Sequence, residues 1–452
     1  MRRQQSKDRR KKNRGAEAEA RSRAALSRMH EVFSEGVVDE LRRETGYNPR
    51  QRRATAYRLL LCCVEACLFG KTLGFAAIQA FFVKRFGSIQ RRAFQLRFKS
   101  SAAVRFFRAA LDRVIGHAVT EFAPELTNAL AMFTDVIAYD GTGQRVPRRG
   151  RKQGLRGCNE GTAGSKWVVG YSLRSGVAIE AKVGAGTDAE YPMWKELVGS
   201  KLQRNALYLL DLGYFARAIF EDAVREGAHV LMRLKADETT RNRLWIESAI
   251  EHGQACTPRR GKTVSSYLLR VNRKKLTEID LDVRWGLGTT ATSLRVVGVR
   301  VNKRWFLYLT TVPRDQMTPK TLASTYRLRW LIEFLFREWK QEADWGRSAT
   351  ADRDALEALT YAALITHALV RSLRVAAACR HELPLETLRP LACLHAVRAH
   401  ASEIVSALGS PNLAAWHDLA ERLIITIVAM AYEPRPSRSR PRIARNLGAG
   451  GG

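Results

Sequence analysis

The sequence predicts a mixed α/β protein in which a central α/β domain, interrupted by an antiparallel β insertion, lies between helical N-terminal and C-terminal regions. Apolar residues recur with helical spacing over about 22–130 and again from about 320 to 432. Short apolar strands alternate with helical segments from residue 133 to residue 235. Four segments between 265 and 312 alternate apolar and polar residues, which is typical of half-buried strands.

The composition indicates a globular protein with a polyanionic partner. The 452 residues include 76 Lys or Arg and 44 Asp or Glu, so the formal net charge is +32, and the pI is about 10.5. A hydrophobic share of 46% excludes a disordered or fibrous chain. A charge of this size is typical of proteins that neutralise phosphates, with an anionic membrane surface as the weaker alternative.

Neither a membrane span nor a signal peptide is expected. The sequence has no run of 18 apolar residues, and polar sequence follows the basic N-terminus where a signal peptide would be apolar. We therefore expect a cytoplasmic protein. The seven cysteines are odd in number and scattered, which argues against a disulfide framework. Cys62, Cys63 and Cys67 lack a second pair of ligands for zinc, and no HExxH or P-loop pattern is present.

The N-terminal part is predicted to bind DNA. Residues 1–14 carry eight Lys or Arg against one Asp, so we expect disordered basic tails at 1–21 and 433–452. A helical DNA-binding domain is predicted at 22–130. Within it, a helix at 75–86, a turn with Ser88 as N-cap and a helix at 90–98 form a possible helix-turn-helix. Four cations of the second helix would contact DNA: Arg91, Arg92, Arg97 and Lys99. A helical bundle with a solvated basic face is the alternative.

The central domain is predicted to span 131–375. Its expected elements are strands at 133–140, 166–173 and 177–183, a helix at 192–198, a strand at 207–210, a helix at 214–226 and a strand at 229–235. With one more helix, this order is that of a ribonuclease-H-like domain. An insertion at 236–318 is predicted to hold strands at 265–273, 277–285, 293–301 and 305–312. A C-terminal helical region follows at 376–432 and is a candidate for dimerisation.

Two aspartates end neighbouring strands of this predicted sheet. Asp140 ends the first strand and Asp211 ends the fourth, so both side chains should emerge at the carboxyl end of parallel strands. Asp135 competes with Asp140, but it stands at the beginning of its strand. Carboxylates in this position, with a third acid on a packing helix, would suit two Mg²⁺ or Mn²⁺ ions about 3.5 to 4 Å apart.

The segment 325–340, TYRLRWLIEFLFREWK, is predicted to supply the third acid. At 100° per residue, four polar residues fall within about 60° of one another: Tyr326, Arg329, Glu333 and Lys340. Leu328, Ile332, Leu335 and Trp339 form the opposite, apolar stripe. One face of this helix should therefore pack in the core while the other presents two cations, a phenol and a carboxylate.

The spacing Y-x2-R-x3-E-x6-K resembles the signature of the DDE transposases of insertion sequence family four, the family of the Tn-five transposase. Asp140-Gly-Thr and Asp211-Leu-Gly-Tyr-Phe are similar to that family's first two catalytic blocks. The resemblance covers about residues 35–375, including the insertion. It implies an enzyme that binds the terminal inverted repeats of a transposon and catalyses DNA cleavage and strand transfer with two metal ions, in the nucleoid of a bacterium.

The resemblance also implies roles for individual residues. Asp140, Asp211 and Glu333 would hold the two metal ions. Arg329 and Lys340 would neutralise phosphates at the transposon end, and Tyr326 would hydrogen-bond a phosphate. Trp305, with Trp285 as runner-up, would stack on a base flipped out of the DNA; the alternative is that either one only fills the core of the insertion.

The resemblance implies double-stranded DNA, both transposon ends and target, as the partner, and a homodimer in the synaptic complex. Two other classes of protein remain open at this stage. A catalytically inactive, transposase-derived DNA-binding protein would not need three aligned carboxylates. A ribonuclease-H-like nuclease would need the metals but not the Tyr-Arg-Lys face.

Overall fold

The structure is a computed structural model. It describes residues 19–47, 53–70, 74–116, 128–199, 201–235, 238–251, 254–256, 262–271, 276–286, 291–302, 304–341 and 345–434. Most of both predicted tails lies outside these residues. Residues 19–21, which the sequence analysis assigned to the N-terminal tail, belong to a helix that covers 19–32.

Ten described strands form one sheet. They are β1 Val136–Arg145, β2 Gly164–Ser172, β3 Val177–Ala185, β4 Leu207–Leu210, β5 His229–Arg233, β6 Leu244–Glu251, β7 Gln254–Cys256, β8 Glu278–Trp285, β9 Thr292–Val301 and β10 Arg304–Thr310. Their order is β3-β2-β1-β4-β5-β10-β9-β8-β6-β7. β4 lies parallel to β1 and β5, whereas β1, β2 and β3 pair antiparallel.

Sixteen helices are described, and the first covers residues 19–32. Before the sheet lie α1 (19–32), α2 Glu35–Glu44, α3 Ala56–Leu68, α4 Phe75–Phe86, α5 Arg91–Gln95 and α6 Ser101–Val114. Between strands lie α7 Glu190–Val198, α8 Arg217–Glu226, α9 Glu238–Asn242 and α10 Val264–Val271. After the sheet follow α11 Pro319–Tyr326, α12 Trp330–Gln341, α13 Arg353–Arg380, α14 Pro390–Ala399, α15 Ala401–Leu408 and α16 Leu413–Ala431.

The inserted strands extend the central sheet instead of forming a sheet of their own. β10 pairs antiparallel with β5, with Leu309 opposite Met232. The strand predicted at 265–273 is wrong, because Val264–Val271 is the helix α10. Its buried apolar residues, Val264, Tyr267, Leu268 and Val271, are spaced three and four apart, as on one face of a helix. Strands β6 and β7 were not predicted from the sequence.

The sheet separates two hydrophobic cores. Alternate residues of β1 point to opposite faces, so Val136 and Ala138 join the core beneath α12 and α13, while Ile137 and Tyr139 join the core beneath α7 and α8. The helix predicted at 325–340 is divided: α11 ends at Tyr326, a 3₁₀ turn covers Arg327–Arg329, and α12 begins at Trp330. The apolar stripe of this segment is buried as predicted.

The helix α13 lies at the centre of the molecule, packed against α3, α6, α16 and β3. By length and hydropathy it is the single described helix that would pass for a membrane span, but 78% of its apolar window is buried inside the fold. The boundary expected at residues 375 and 376 falls inside α13.

The N-terminal and C-terminal helices pack together. Trp416 Nε1 donates a hydrogen bond to the carbonyl of Leu26 at 2.7 Å, and Tyr57 donates one to the carbonyl of Gly409 at 2.7 Å. The buried carboxylate of Glu65 also joins the two regions, because it pairs with Arg85 and accepts a hydrogen bond from Ser402 at 2.8 Å.

Candidate active site

Asp140 and Asp211 leave neighbouring parallel strands in register. Ala138 of β1 lies opposite Leu209 of β4 in the last pair of their parallel ladder. Asp140 and Asp211 each follow two residues later, so both lie at the carboxyl end of that ladder. Asp211 directly follows β4, as predicted. The prediction that Asp140 ends its strand is wrong, because β1 continues to Arg145 through its pairing with β2. Asp135 is at the other end of β1, where Ser172 Oγ and the backbone N–H of Val136 and of Arg174 donate to its carboxylate.

A third carboxylate, which the sequence analysis missed, meets these two. Glu190 is the first residue of α7, and one carboxylate oxygen of each of Asp140, Glu190 and Asp211 lies within 4.8 Å of the others. We call these three residues the acidic cluster. An acid in the first turn of a helix is common for electrostatic reasons alone, so no local signal separated Glu190 from an ordinary surface residue.

The backbone supports both aspartates. The N–H of Gly141 donates to Asp140 Oδ1 at 2.8 Å, and the N–H of Gly213 donates to Asp211 Oδ1 at 2.7 Å. Burial raises the pKa of Asp140, although Arg329 opposes this effect. Burial also raises the pKa of Glu190, and repulsion from Asp211 and Asp140 adds to it. The acidic cluster therefore concentrates negative charge in a poorly solvated place.

Glu333 is connected to Asp140 by the side chain of Arg329. It lies in the first turn of α12, and Arg329 Nη2 donates to Glu333 Oε1 at 2.9 Å. The same guanidinium donates through Nη1 to Asp140 Oδ2 at 2.8 Å. Arg329 was expected to face DNA phosphate, but it is only 8% exposed and bridges two carboxylates. Its role as a phosphate contact remains a prediction.

Tyr326 and Lys340 differ in exposure. Tyr326 is buried, and its hydroxyl donates to the carbonyl of Leu210 at 3.2 Å, next to Asp211. Burial raises the pKa of Tyr326 to about 12. Lys340 is exposed, and desolvation nevertheless lowers its pKa. Of the two residues, Lys340 is the one whose side chain is open to a phosphate in the described part of the chain.

The two candidate tryptophans also lie in different environments. Trp285 is 8% exposed and packs between Phe215 and Phe220, at ring distances of 5.5 and 6.0 Å. Trp305 is half-buried on β10, and the guanidinium of Arg300 lies 5.8 Å from its ring. Trp285 therefore serves as core, whereas Trp305 keeps part of its ring accessible.

A cavity that the sequence did not predict opens beside Trp285. Its volume is about 710 Å³. Its walls contain Phe215, Arg217, Lys235, Arg243, Trp245 and Trp285. Trp245 is half-buried. Aromatic rings and cations therefore line this cavity, and Phe215 in its wall lies four residues after Asp211 in the sequence.

The predicted helix-turn-helix is shorter than expected. α4 ends at Gly87, whose φ of +87° suits glycine. α5 covers only Arg91–Gln95, and Gln90, not Ser88, is its N-cap residue. Three predicted contacts, Arg91, Arg92 and Lys99, are exposed. The fourth, Arg97, is half-buried, and its guanidinium donates to the carbonyl of Ala93.

The donor chemistry of the acidic cluster fits a divalent cation. All three ligand groups are carboxylates, which Mg²⁺ and Mn²⁺ prefer over nitrogen or sulfur donors. Three like charges in a partly buried space also need positive charge for stability. Arg329 supplies part of that charge on the side of Asp140, and Lys166 lies 3.9 Å from Glu190.

Comparison with known proteins identifies the family of the chain. The model of the transposase DDE domain matches residues 131–369, more than half of the sequence. The chain therefore belongs to the DDE transposase family.

Among individual proteins, the chain is similar to two insertion-element transposases. It is 22% identical to the transposase for insertion sequence element IS231E of Bacillus thuringiensis subsp. finitimus, over 75% of this chain and 77% of that protein. It is 23% identical to the IS231B transposase of B. thuringiensis subsp. berliner, over 53% and 56%. A cryo-EM structure of the piggyBac transposase synaptic complex with hairpin DNA aligns with 92% of this chain and 87% of that chain, with 10% identity and a TM-score of 0.43.

Proposed function

We propose that this DDE transposase mobilises an insertion sequence: it binds the terminal inverted repeats and catalyses DNA cleavage and strand transfer. The observation that carries the proposal is the convergence of Asp140 and Asp211 at the carboxyl end of the parallel ladder between β1 and β4, with Glu333 held beside Asp140 by Arg329. The relatives named as transposases of insertion sequence elements support the same function.

Each carboxylate has a stated task in this proposal. Asp140, Asp211 and Glu333 hold two Mg²⁺ or Mn²⁺ ions, and bound divalent cations stabilise the charge that develops on phosphate oxygens during in-line displacement. Arg329 keeps Glu333 turned toward Asp140. Burial by α12 limits the access of water to these acids, which strengthens their electrostatic interactions.

The positive charge of the chain provides DNA affinity. A net charge of +32 gives a long-range attraction for polyanions. Arg91, Arg92 and Lys99 form an exposed basic surface on and just after α5, and Lys340 is exposed on the helix that carries Glu333. In the proposal, Arg91, Arg92 and Lys99 contact the transposon end, and Lys340 contacts a phosphate near the cleavage site.

The finer family assignment is part of the proposal. The Y-x2-R-x3-E-x6-K spacing supports insertion sequence family four, and the strand order β3-β2-β1-β4-β5 supports a ribonuclease-H-like domain. A homodimer would bring two transposon ends together. On α16, Ile425 and Met430 are exposed at 62% and 46% while Leu423 and Ile427 are buried, so this helix keeps large apolar side chains outside the core.

A strand-transfer assay with paired transposon ends and a target plasmid tests the function. We expect joined products with Mg²⁺ or Mn²⁺ and none with EDTA. Cleavage of DNA of any sequence without joining would indicate a nuclease instead, and end-specific binding without cleavage would indicate an inactive DNA-binding protein.

A further inference from the structure

Glu190 occupies an unusual place for an acid at the start of a helix. It follows the N-cap residue Ala189, and no side-chain hydrogen bond caps this helix. An acid here ordinarily extends into solvent, where the helix dipole stabilises it. The side chain of Glu190 is instead only 21% exposed and turns toward Asp140 and Asp211.

Two glycines make room for this carboxylate. A Cβ atom added at Gly141 would lie 2.3 Å from Glu190 Oε1, and one added at Gly213 would lie 3.0 Å from Glu190 Oε2. Gly141 directly follows Asp140, and Gly213 is two residues after Asp211. The backbone beside each aspartate is therefore open to Glu190, and a side chain at Gly141 would displace it.

A buried hydroxyl beside the cluster is an independent indication of a missing ligand. Tyr214 is 0% exposed, and its hydroxyl has no hydrogen-bond partner among the described residues. Burial raises the pKa of Tyr214, and the charges of Glu190, Asp140 and Asp211 raise it further. A buried hydroxyl that is exposed to the charge of three carboxylates would ordinarily donate a hydrogen bond to one of them.

The carboxylates of the acidic cluster face one another, with one oxygen of each within 4.8 Å of the others. Like charges in this arrangement repel one another unless a cation lies among them. The nearest described cation to Glu190 is Lys166 at 3.9 Å, and Lys166 Nζ donates its short hydrogen bond, at 2.7 Å, to the carbonyl of Asp188. Lys166 therefore does not neutralise the centre of the cluster.

We propose that Glu190 is a third carboxylate ligand, together with Asp140 and Asp211, for a divalent cation such as Mg²⁺ or Mn²⁺. This inference rests on the proposed function, because it concerns the same site. It adds to that site an acid from α7 that the Asp-Asp-Glu pattern does not contain, and it gives Gly141 and Gly213 a role as the space into which that acid reaches.

Mn²⁺ binding to the purified full-length protein, without DNA, tests the proposal. Isothermal titration or the loss of the free Mn²⁺ signal in electron paramagnetic resonance gives the affinity. We expect Glu190→Gln to weaken Mn²⁺ binding at least about tenfold. Glu196→Gln is the matched control, since Glu196 lies on the same helix with its side chain 64% exposed. It should bind Mn²⁺ like the parent.

A second pair of variants displaces Glu190 without changing it. Gly141→Ala should weaken Mn²⁺ binding, because the new Cβ and the Glu190 carboxylate cannot share the space. Gly143→Ala is the control on the same strand, since a Cβ at Gly143 would meet nothing within 4 Å. In a Glu190→Ala background, Gly141→Ala should have no further effect.

The outcomes distinguish this inference from the proposed function. If Asp140→Asn weakens Mn²⁺ binding while Glu190→Gln and Gly141→Ala bind like the parent, the role of Glu190 is refuted and the proposed function stands. If none of the three variants changes the affinity, the whole metal site is misassigned. Should Glu190→Gln fail to fold by circular dichroism, the Gly141→Ala and Gly143→Ala pair decides the question.

Discussion

Arg329 Nη1 lies 2.8 Å from Asp140 Oδ2, so an acid on the first strand is neutralised by a cation on the segment that leads into α12. Both side chains are largely buried, and the same guanidinium also pairs with Glu333. The two parts of the chain that carry the carboxylates, almost 200 residues apart, are thereby joined at the site itself. This pairing makes Arg329 a structural part of the acidic site.

Removal of any proposed metal ligand should abolish chemistry and spare DNA binding. We expect Asp140→Ala, Asp211→Ala and Glu333→Ala each to eliminate cleavage and strand transfer, because each removes a charge that holds a cation. Electrophoretic mobility shifts with transposon-end DNA should change little. Asp135→Asn is the control on β1: it should lower the free energy of unfolding by about 1 to 3 kcal/mol through lost hydrogen bonds and still support strand transfer. Full activity in any alanine variant would refute that ligand.

Loss of Arg329 should destabilise the protein in a way that divalent cations repair. Arg329→Ala leaves the carboxylates of Asp140 and Glu333 without their counter-ion, and breaking a buried pair from one side costs about 3 to 5 kcal/mol. Because a bound cation replaces the missing charge, Mn²⁺ should raise the melting temperature of this variant more than that of the parent. Arg329→Lys should also lose activity, since one ammonium cannot match the bidentate fork. Equal Mn²⁺ shifts in parent and variant would contradict this account.

The variant Tyr326→Phe tests whether the hydroxyl of Tyr326 has a structural role or contacts a DNA phosphate. The lost bond to Leu210 should lower stability by about 0.5 to 1.5 kcal/mol, with DNA affinity unchanged. The pKa of Tyr326 is raised from its usual 10 to about 12, so its contribution to stability is complete below pH 10 and is lost as the pH rises toward 12. The parent should lose stability relative to the variant by about 1.4 kcal/mol per pH unit in that interval, so Tyr326→Phe should become the more stable of the two before pH 12. A clear loss of affinity for transposon ends would instead support the phosphate role.

The two tryptophans should give different phenotypes. Trp285→Ala should lower the free energy of unfolding by about 3 to 5 kcal/mol, because Trp285 is core. Trp305→Ala should fold normally and nick the first strand at nearly the parental rate, but nicked ends should accumulate, since stacking on a flipped base recovers about 1 to 3 kcal/mol. Denaturing gels of end-labelled DNA measure both steps. If Trp305→Ala processes both strands as fast as the parent, Trp305 is structural, and Trp245, in the aromatic and basic cavity, becomes the residue to test.

The basic surface should control DNA affinity through salt. A double variant Arg91→Glu and Arg92→Glu should weaken DNA binding and reduce the slope of log affinity against log salt. Each phosphate contact that is lost lowers the number of counterions released from the DNA on binding. Arg97→Gln should lower the melting temperature and change DNA affinity little, since the Arg97 guanidinium donates to the carbonyl of Ala93 in α5. Deletion of residues 1–14 should flatten the slope mainly for non-specific DNA. An affinity independent of salt in the parent would refute the electrostatic account.

Local patterns in the sequence were sufficient to place the aspartates. Short apolar runs ending in Asp140 and Asp211 identify two buried strands, and the ribonuclease-H-like order of strands and helices predicts that these strands are adjacent and parallel, so the two acids should share one end of their ladder. The spacing of Leu328, Ile332, Leu335 and Trp339 likewise identified an apolar side of the Glu333 segment that packs in the core. It did not indicate that Tyr326 and Arg329, on the polar side, are buried as well.

Only the tertiary structure decided what each polar side chain meets. Glu190 joins the acidic cluster because α7 docks where its first residue faces two strands, and Arg329 becomes an ion-pair bridge because the turn Arg327–Arg329 packs against β1 and β4. The pairing of β10 with β5, which continues the sheet into the insertion, and the helical state of Val264–Val271 were settled in the same way. Periodicity depends on neighbours a few residues apart, whereas these contacts join residues that are distant along the chain, and the packing of whole elements determines which of them come together.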